Sequence, residues 1–429
     1  MAAMPSERAP DSTLALLRDP YGWIGRRCDA HGSDAFAARL LLQPTICMRG
    51  ADAARLFYDE RRFARATAAP RRLRATLFGR GGVQTLDDAE HAARRALFLR
   101  ALAPDRVDAL ATRVADAWGV RIARWEDRER VVLADEVGEL LCEAACAWAG
   151  VPLGPAEVPR RTRAMHLMID SAAAVGPLHL RGRRGRGRAE RWAARLVRRA
   201  RRGRLAVEPG TALHLLAGHR DPGGRLLPPR VAAVELLNLL RPTVAVDRFV
   251  VFCALALVEH PEWRERLRDD PSLTGPFVQE VRRTAPFFPA VAARVRATFE
   301  WRGMRFPAGR RALLDLYGTD HDGRVWDDPR RFRPERFLER EPGPFELVPQ
   351  GGGGAVRGHR CPGEALTIAL MRVSVDALVR RMRYDVPPQD LRPRRSPRAP
   401  ALPASGFAIA RVRRAGPVPL DGPGAVSAA

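Results

Sequence analysis

The chain has 429 residues, 46% of them apolar and 28% charged, which supports a large core and excludes wholesale disorder. Its net charge of +24 comes from 73 basic and 49 acidic residues, and every one of those basic residues is arginine. Such a balance raises nucleic-acid binding, but the arginines run along the whole chain instead of forming one basic tail, the pattern of charges solvated on helix faces. The exception is "LRGRRGRGRAERWAARLVRRARRGR", from Leu180 to Arg204, which reads equally as a patch for anionic partners or as the outer face of a surface helix.

The first residues, "MAAMPSERAPDST", lack the apolar segment of a signal peptide. "ARLLLQPTICMRG" then reads as strand. Helical spacing of apolar residues runs through "DRVDALATRVADAWGVRIARW" and "DEVGELLCEAACAWAGV". A long helix is expected from about Pro229 to about Glu259, with a Pro-Pro pair at its start. It contains "FVVFCALALV", the longest apolar run, which is too short to span a bilayer. "GPFVQEVRRTAP" is a further helix, stopped by Pro286. Short strands follow in "ATFEWRGMRFPAGRRALLDLYG", and "LPASGFAIARVRR" closes the chain as a last strand. The expectation is one continuous domain, mainly α with small β-sheets. Six scattered cysteines, with no CxxC and no HExxH, argue for free thiols in a reducing compartment, the cytoplasm, and against zinc.

The densest punctuation lies in "PQGGGGAVRGHRCPGE", Pro349 to Glu364. Glycines before Cys361 permit close backbone approach. The segment "EALTIALMRVSVDALVRRM" behind it reads as a helix, whose amino end would favour a thiolate at Cys361. A thiolate is a soft ligand, and a single protein cysteine can hold haem iron. His359 and Arg360 are placed to meet anionic groups such as haem propionates. A glycine-rich loop with a buried structural cysteine is the bland alternative.

The combination of Gly358, Arg360, Cys361 and Gly363 resembles the cysteine loop of the cytochrome P-450 (haem-thiolate) family. Two further motifs of that family are present in order. "QEVRR" supplies Glu280 and Arg283, three apart on one helix face, and "RPERF" supplies Arg336, which completes a buried triad in the family. The resemblance implies a single-domain fold, here residues 11–415 between tails at 1–10 and 416–429. Haem b would lie between the central long helix and the cysteine loop.

The central helix departs from the ordinary family pattern. "ELLNLLRPTVAVDRF" carries Arg241 and Pro242 where the usual acid–alcohol pair stands. Proline inside a helix removes one N–H and crowds the carbonyl of Asn238, so a kink is expected. Arg241 is a fork-shaped cation with no acid of its segment on the same face. A buried unpaired arginine is costly, and a substrate carboxylate is the partner that fits. The Arg-Pro pair resembles the bacterial fatty-acid peroxygenases, as do "TLFGRGGVQTLD", "FVQEVRRTAPFFP", "LLDLYGTDHD" and the glycine-rich insertion before Cys361.

That resemblance implies hydroxylation of long-chain fatty acids at the alpha or beta carbon with hydrogen peroxide, without an obligatory redox partner. Cys361 would be the proximal iron ligand. Arg241 and Pro242 would form the catalytic pair, the substrate carboxylate on Arg241 doing the acid–base work. His91 and Arg95 look like further propionate contacts. Phe78, Gln84, Phe287, Phe288 and Pro289 are expected along the pocket, with core packing the alternative for each aromatic. Glutamine at position 84 accompanies hydroxylation in that branch, and histidine accompanies decarboxylation to terminal alkenes. A decarboxylase, an NADPH-dependent monooxygenase with partner proteins, and a haem sensor or nucleic-acid binder are the competing readings.

Overall fold

Where apolar residues recur at helical spacing the chain is helical, and the strands are short pieces between the helices. The computed structural model describes residues 4–172, 174, 176–393 and 401–415. The helices that frame the site are α1 (Asp88–Ala101), α2 (Pro104–Trp125), α3 (Leu133–Trp148), α4 (Val158–Asp170), α5 (Gly176–Arg201), α6 (Pro229–Val244), α7 (Val246–Glu259), α8 (Thr274–Thr284) and α9 (Glu364–Asp376). The fold is mainly helical with small sheets.

The strands, in chain order, are β1 (Ala35–Leu40), β2 (Gln43–Met48), β3 (Phe63–Ala64), β4 (Arg130–Val132), β5 (Ala290–Val295), β6 (Phe299–Trp301), β7 (Met304–Phe306), β8 (Arg311–Asp315), β9 (Met382–Asp385) and β10 (Ala408–Arg414). One sheet has the order β1-β2-β8-β5-β3, a second β4-β10-β9, and β6-β7 is a hairpin. β2 and β8 run parallel, Thr45 facing Arg311, and the other pairings are antiparallel. Residues 4–10, expected as a tail, run beside β1: Ala37 N donates to Pro5 O at 2.7 Å and Glu7 N to Ala37 O at 2.9 Å. The tail at 416–429 lies outside the described residues.

The central helix shows what a buried proline does. α6 and α7 were expected as one helix kinked at Pro242. Instead the helix stops at Val244 and restarts at Val246, with Ala245 at ψ −9° between them. Pro242 has no N–H for the Asn238 carbonyl, so the ladder is weakened one turn before it breaks. Ala232 to Leu257 is buried at every position but one, and that one is Pro242. These two helices occupy the middle of the larger core, against α3 and α9.

Buried ion pairs lock the parts together. Glu280, on α8, is fully buried and accepts from Arg283 Nε and Nη2 at 2.7 Å each. Arg336 Nε joins at 3.3 Å and the Arg333 main-chain N–H at 2.8 Å. Arg283 spends another donor on the carbonyls of Asp320 and Pro329, at 2.9 and 2.8 Å. The pair is a buried network that ties α8 to the segment around Arg336, not a solvated surface bridge. No helix among the described residues is long and apolar enough to cross a membrane.

Candidate active site

Cys361 sits three residues before α9. It is half-buried, whereas the other five cysteines are buried. Its N–H donates to Gln350 O at 2.9 Å, which closes the glycine-rich loop on itself. Gln350 Nε2 lies 3.7 Å from the sulfur, and Arg282 fixes that amide from the other side, its Nη2 3.0 Å from Gln350 Oε1. Burial pushes the Cys361 thiol up, and the Gly363 N–H, Arg95 and Arg282 pull it down. The helix end and the arginines therefore act in the expected sense, but burial outweighs them. Desolvation penalises the uncoordinated thiolate more than one N–H and two cations relieve it.

Two arginines and two imidazoles surround the loop. His91 on α1 stacks on His359, ring centroids 4.0 Å apart. Burial, then the neighbouring His359 and Arg95, lower His91 to about 4. His359 Nε2 is 3.7 Å from Asp87 Oδ1, and burial lowers it. Arg360 Nε donates to Glu364 Oε2 at 2.5 Å and Nη1 to Gly353 O at 2.9 Å. Arg95 donates to the carbonyls of Arg360 at 2.8 Å, Val356 at 3.2 Å and Ala355 at 2.5 Å. Three of its five donors thus hold the cysteine loop, and two remain for an anion.

Arg241 is 5% exposed and, among the described residues, makes no hydrogen bond or ion pair. Burial, and after it Arg186, lower its pKa to about 9, against Cys361, which raises it. Cys361 is therefore close enough to act on it electrostatically. Asp247, the nearest acid downstream, is occupied: His166 Nε2 lies 2.8 Å from its Oδ2, and Arg248 Nη1 donates to its Oδ1 at 2.9 Å. Arg241 is a buried cation beside Pro242, the one exposed residue between Ala232 and Leu257.

The residues expected along the pocket divide. Gln84 is half-buried, and its Oε1 accepts from Asn238 Nδ2 at 3.1 Å. Phe78 ends a short π-helix, Arg74–Phe78, and is half-buried. Phe288 is half-buried against both larger cores, and Pro289 accepts from Leu316 N–H at 2.9 Å through its carbonyl. Phe287 is a core residue, stacked on Phe249 with centroids 4.2 Å apart.

Two parts of the site went unseen in the sequence. Asn238 also donates to Glu235 Oε2 at 3.0 Å, and Arg94 Nη1 donates to Glu235 Oε1 at 2.5 Å. Gln84, Asn238, Glu235 and Arg94 form one buried chain across α6 and α1. Arg186, inside the arginine run, is 1% exposed and donates to the carbonyls of Leu77 at 2.5 Å and Phe78 at 3.1 Å. Gly79, at φ +81°, makes room for it, since a Cβ there would lie 2.2 Å from Arg186 Nη2. Helical spacing within the run, which sets Arg186 beside Gly182, Ala189 and Ala193, was the available signal.

Chains of known structure share this fold. Cytochrome P450SP alpha (CYP152B1) is 46% identical, the match covering 95% of this chain and 100% of that one, with a TM-score of 0.92. The chain belongs to the cytochrome P450 family. Cytochrome P450EX alpha (CYP152N1), solved with myristic acid, is 41% identical over 96% of this chain and 100% of that one, TM-score 0.93. Cytochrome P450 OleT, ligand-free, is 32% identical with the same coverage and a TM-score of 0.94. The cytochrome P450 family profile matches residues 256–409. Cytochrome P450 78A11 of Oryza sativa subsp. japonica is 34% identical over 186 residues, 37% of this chain and 33% of its own length. Matches to the first such curated relatives span about a fifth to a third of their length.

The family implies haem iron, and the residues fit it. A half-buried cysteine, two arginines and two imidazoles around it, and an exposed proline inside a buried helix suit a flat, anionic prosthetic group. Cys361 would hold the iron. His91, His359, Arg360 and the remaining donors of Arg95 would meet its carboxylates.

Proposed function

We propose that this cytochrome P450 is a fatty-acid peroxygenase, which hydroxylates long-chain fatty acids at the alpha or beta carbon with hydrogen peroxide. The observation that carries the reading is Arg241, a buried guanidinium with no partner among the described residues, beside Pro242. The site contains a permanent cation where an oxygen-activating relative has an acid and an alcohol. The peroxygenase pattern in the sequence and the relative solved with myristic acid point the same way.

Bound haem b, held at Cys361, supplies cleavage of the peroxide O–O bond and delivery of one oxygen atom to carbon. The chain's own residues do the rest. Arg241 binds the fatty-acid carboxylate through paired charge-assisted hydrogen bonds. Anchoring that end leaves only the alpha and beta carbons within reach, which sets the regiochemistry by position. The anchored carboxylate supplies the acid–base group that Arg241 and Pro242 displaced, taking a proton from peroxide and returning it to the departing oxygen. Pro242 offers no hydroxyl, so it fixes the helix break and leaves the proton work to the substrate. Phe78 and Phe288 flank the chain of the fatty acid, and Gln84, oriented by Asn238, selects hydroxylation over loss of the carboxyl group. The catalytic unit is residues 11–415, and six free thiols fit the reducing cytoplasm.

The test is to mix haem-loaded protein with a long saturated fatty acid and hydrogen peroxide, without reductase or NADPH, and identify products by mass spectrometry. Alpha- or beta-hydroxy acids are expected. Turnover only with a reductase present would replace this reading with a partner-dependent monooxygenase.

A further inference from the structure

The arginine run resolves into two faces of α5. Arg186 lies on the inner face with Gly182, Ala189, Ala193, Leu196 and Val197, all buried. Arg181, Arg184, Arg188, Arg191, Arg195 and Arg198 are all exposed. Their alternating spacing of three and four keeps them within an arc of about 100°, along roughly 25 Å of helix. Among the described residues none of these six side chains makes a hydrogen bond or ion pair. Glu190, the one acid between Gly176 and Arg204, is taken by Arg186 at 2.7 Å. Leu180, 51% exposed, lies on the same outer arc.

We propose that this stripe docks the protein on an anionic lipid bilayer. A straight row of unpaired cations matches a plane of phosphate headgroups in both charge and shape. Leu180 adds an apolar group that a bilayer takes up and a nucleic-acid backbone does not. The exposed arc offers no aromatic ring to stack on bases and no amide to read their edges, which leaves a polynucleotide only its phosphates. The lipid assignment rests on the fatty-acid reading and extends it. The inner face of the same helix holds, through Arg186, the carbonyls of Leu77 and Phe78, and Phe78 is a residue of the proposed pocket. Docking the outer face therefore brings the pocket to the bilayer in which long-chain fatty acids partition.

The test is co-sedimentation of the holoenzyme with phosphatidylglycerol–phosphatidylcholine vesicles, against phosphatidylcholine alone, at low and high salt. Binding to the anionic vesicles only, weakening with salt, is expected. The combined variant Arg184→Gln, Arg188→Gln, Arg191→Gln, Arg195→Gln should lose at least about a hundredfold in affinity, from roughly fivefold per arginine. Lysine at the same four positions should retain binding, which separates charge from helix stability. Turnover of a fatty acid in vesicle-free solution should be the same in all three proteins. If the wild type binds anionic vesicles but turns over no fatty acid, the functional reading falls and the docking surface stands. Undiminished binding by the glutamine variant, or tighter binding of duplex DNA than of anionic vesicles at equal salt, would overturn the proposal.

Discussion

Asn238 Nδ2 donates to Gln84 Oε1 at 3.1 Å, so the central helix holds the amide proposed to face the substrate. The same nitrogen donates to Glu235, which Arg94 pairs from α1. Burial raises the pKa of Glu235, and Arg94 and Asn238 oppose that rise. Gln84 thus stands at the end of a chain anchored by a buried ion pair, and its orientation depends on residues that never touch substrate.

Asn238→Leu keeps the volume and removes both bonds, of which the one to Gln84 bears on the product ratio. One lost hydrogen bond is worth about 0.5–1.5 kcal/mol, a two- to tenfold effect. The expected outcome is a change of that size in the ratio of hydroxy acid to terminal alkene, with haem content unchanged. Gln84→His should move the same ratio toward alkene. Mass spectrometry of the products reads both, and an unaltered ratio in Asn238→Leu would show that Gln84 orients itself.

Glu280 neutralises two arginines at once. Glu280→Gln keeps the shape but leaves Arg283 and Arg336 as buried charges without a counter-ion. Breaking such a pair costs about 3–5 kcal/mol. Urea unfolding should show a loss of that size, whereas Arg336→Lys, which spares the bidentate Arg283 pair, should cost less.

Asp315 gives the fold a pH dependence away from the haem site. It is 2% exposed and caps the helix Leu316–Asp320, accepting from the Gly318 N–H at 2.7 Å. Burial raises it from 3.8 to about 7, against the Gly318 N–H and Arg49. Below the lower value both folded and unfolded chains carry the proton. Between the two, the unfolded chain has released it and the folded chain has not, so stability falls as pH rises. The contribution is at most about 4 kcal/mol. Asp315→Asn keeps a capping oxygen and should flatten this slope in thermal melts between pH 4 and 7.

Legibility followed sequence distance. The cysteine loop could be read because its parts are contiguous, and Glu280 with Arg283 because three residues fix their face. Arg241 and Pro242 were legible because proline inside an apolar helix is a local contradiction. The break at Ala245 was misplaced by three residues, since helix continuity after a weakened rung is decided by tertiary packing. Arg94–Glu235 and Asn238–Gln84 join residues far apart in sequence, and no local rule pairs them. Phe287 was offered to the pocket, and its stacking on Phe249 is a contact between separate elements.

Arg241 should give opposite effects on stability and activity. A buried guanidinium without a partner costs free energy, so Arg241→Leu is expected to raise the stability of the ligand-free protein by about 1–3 kcal/mol. The same change removes the only proposed anchor of the carboxylate. A bidentate, charge-assisted pair is worth roughly twice an ordinary hydrogen bond, and its loss also frees the alpha and beta carbons from position. The expected fall in kcat/KM for a long fatty acid is at least about a hundredfold. A fatty acid should raise the melting temperature of the wild type by mass action and leave that of Arg241→Leu unmoved. A variant that is destabilised would mean that Arg241 has a structural role, and one that keeps its turnover would remove the carboxylate from Arg241.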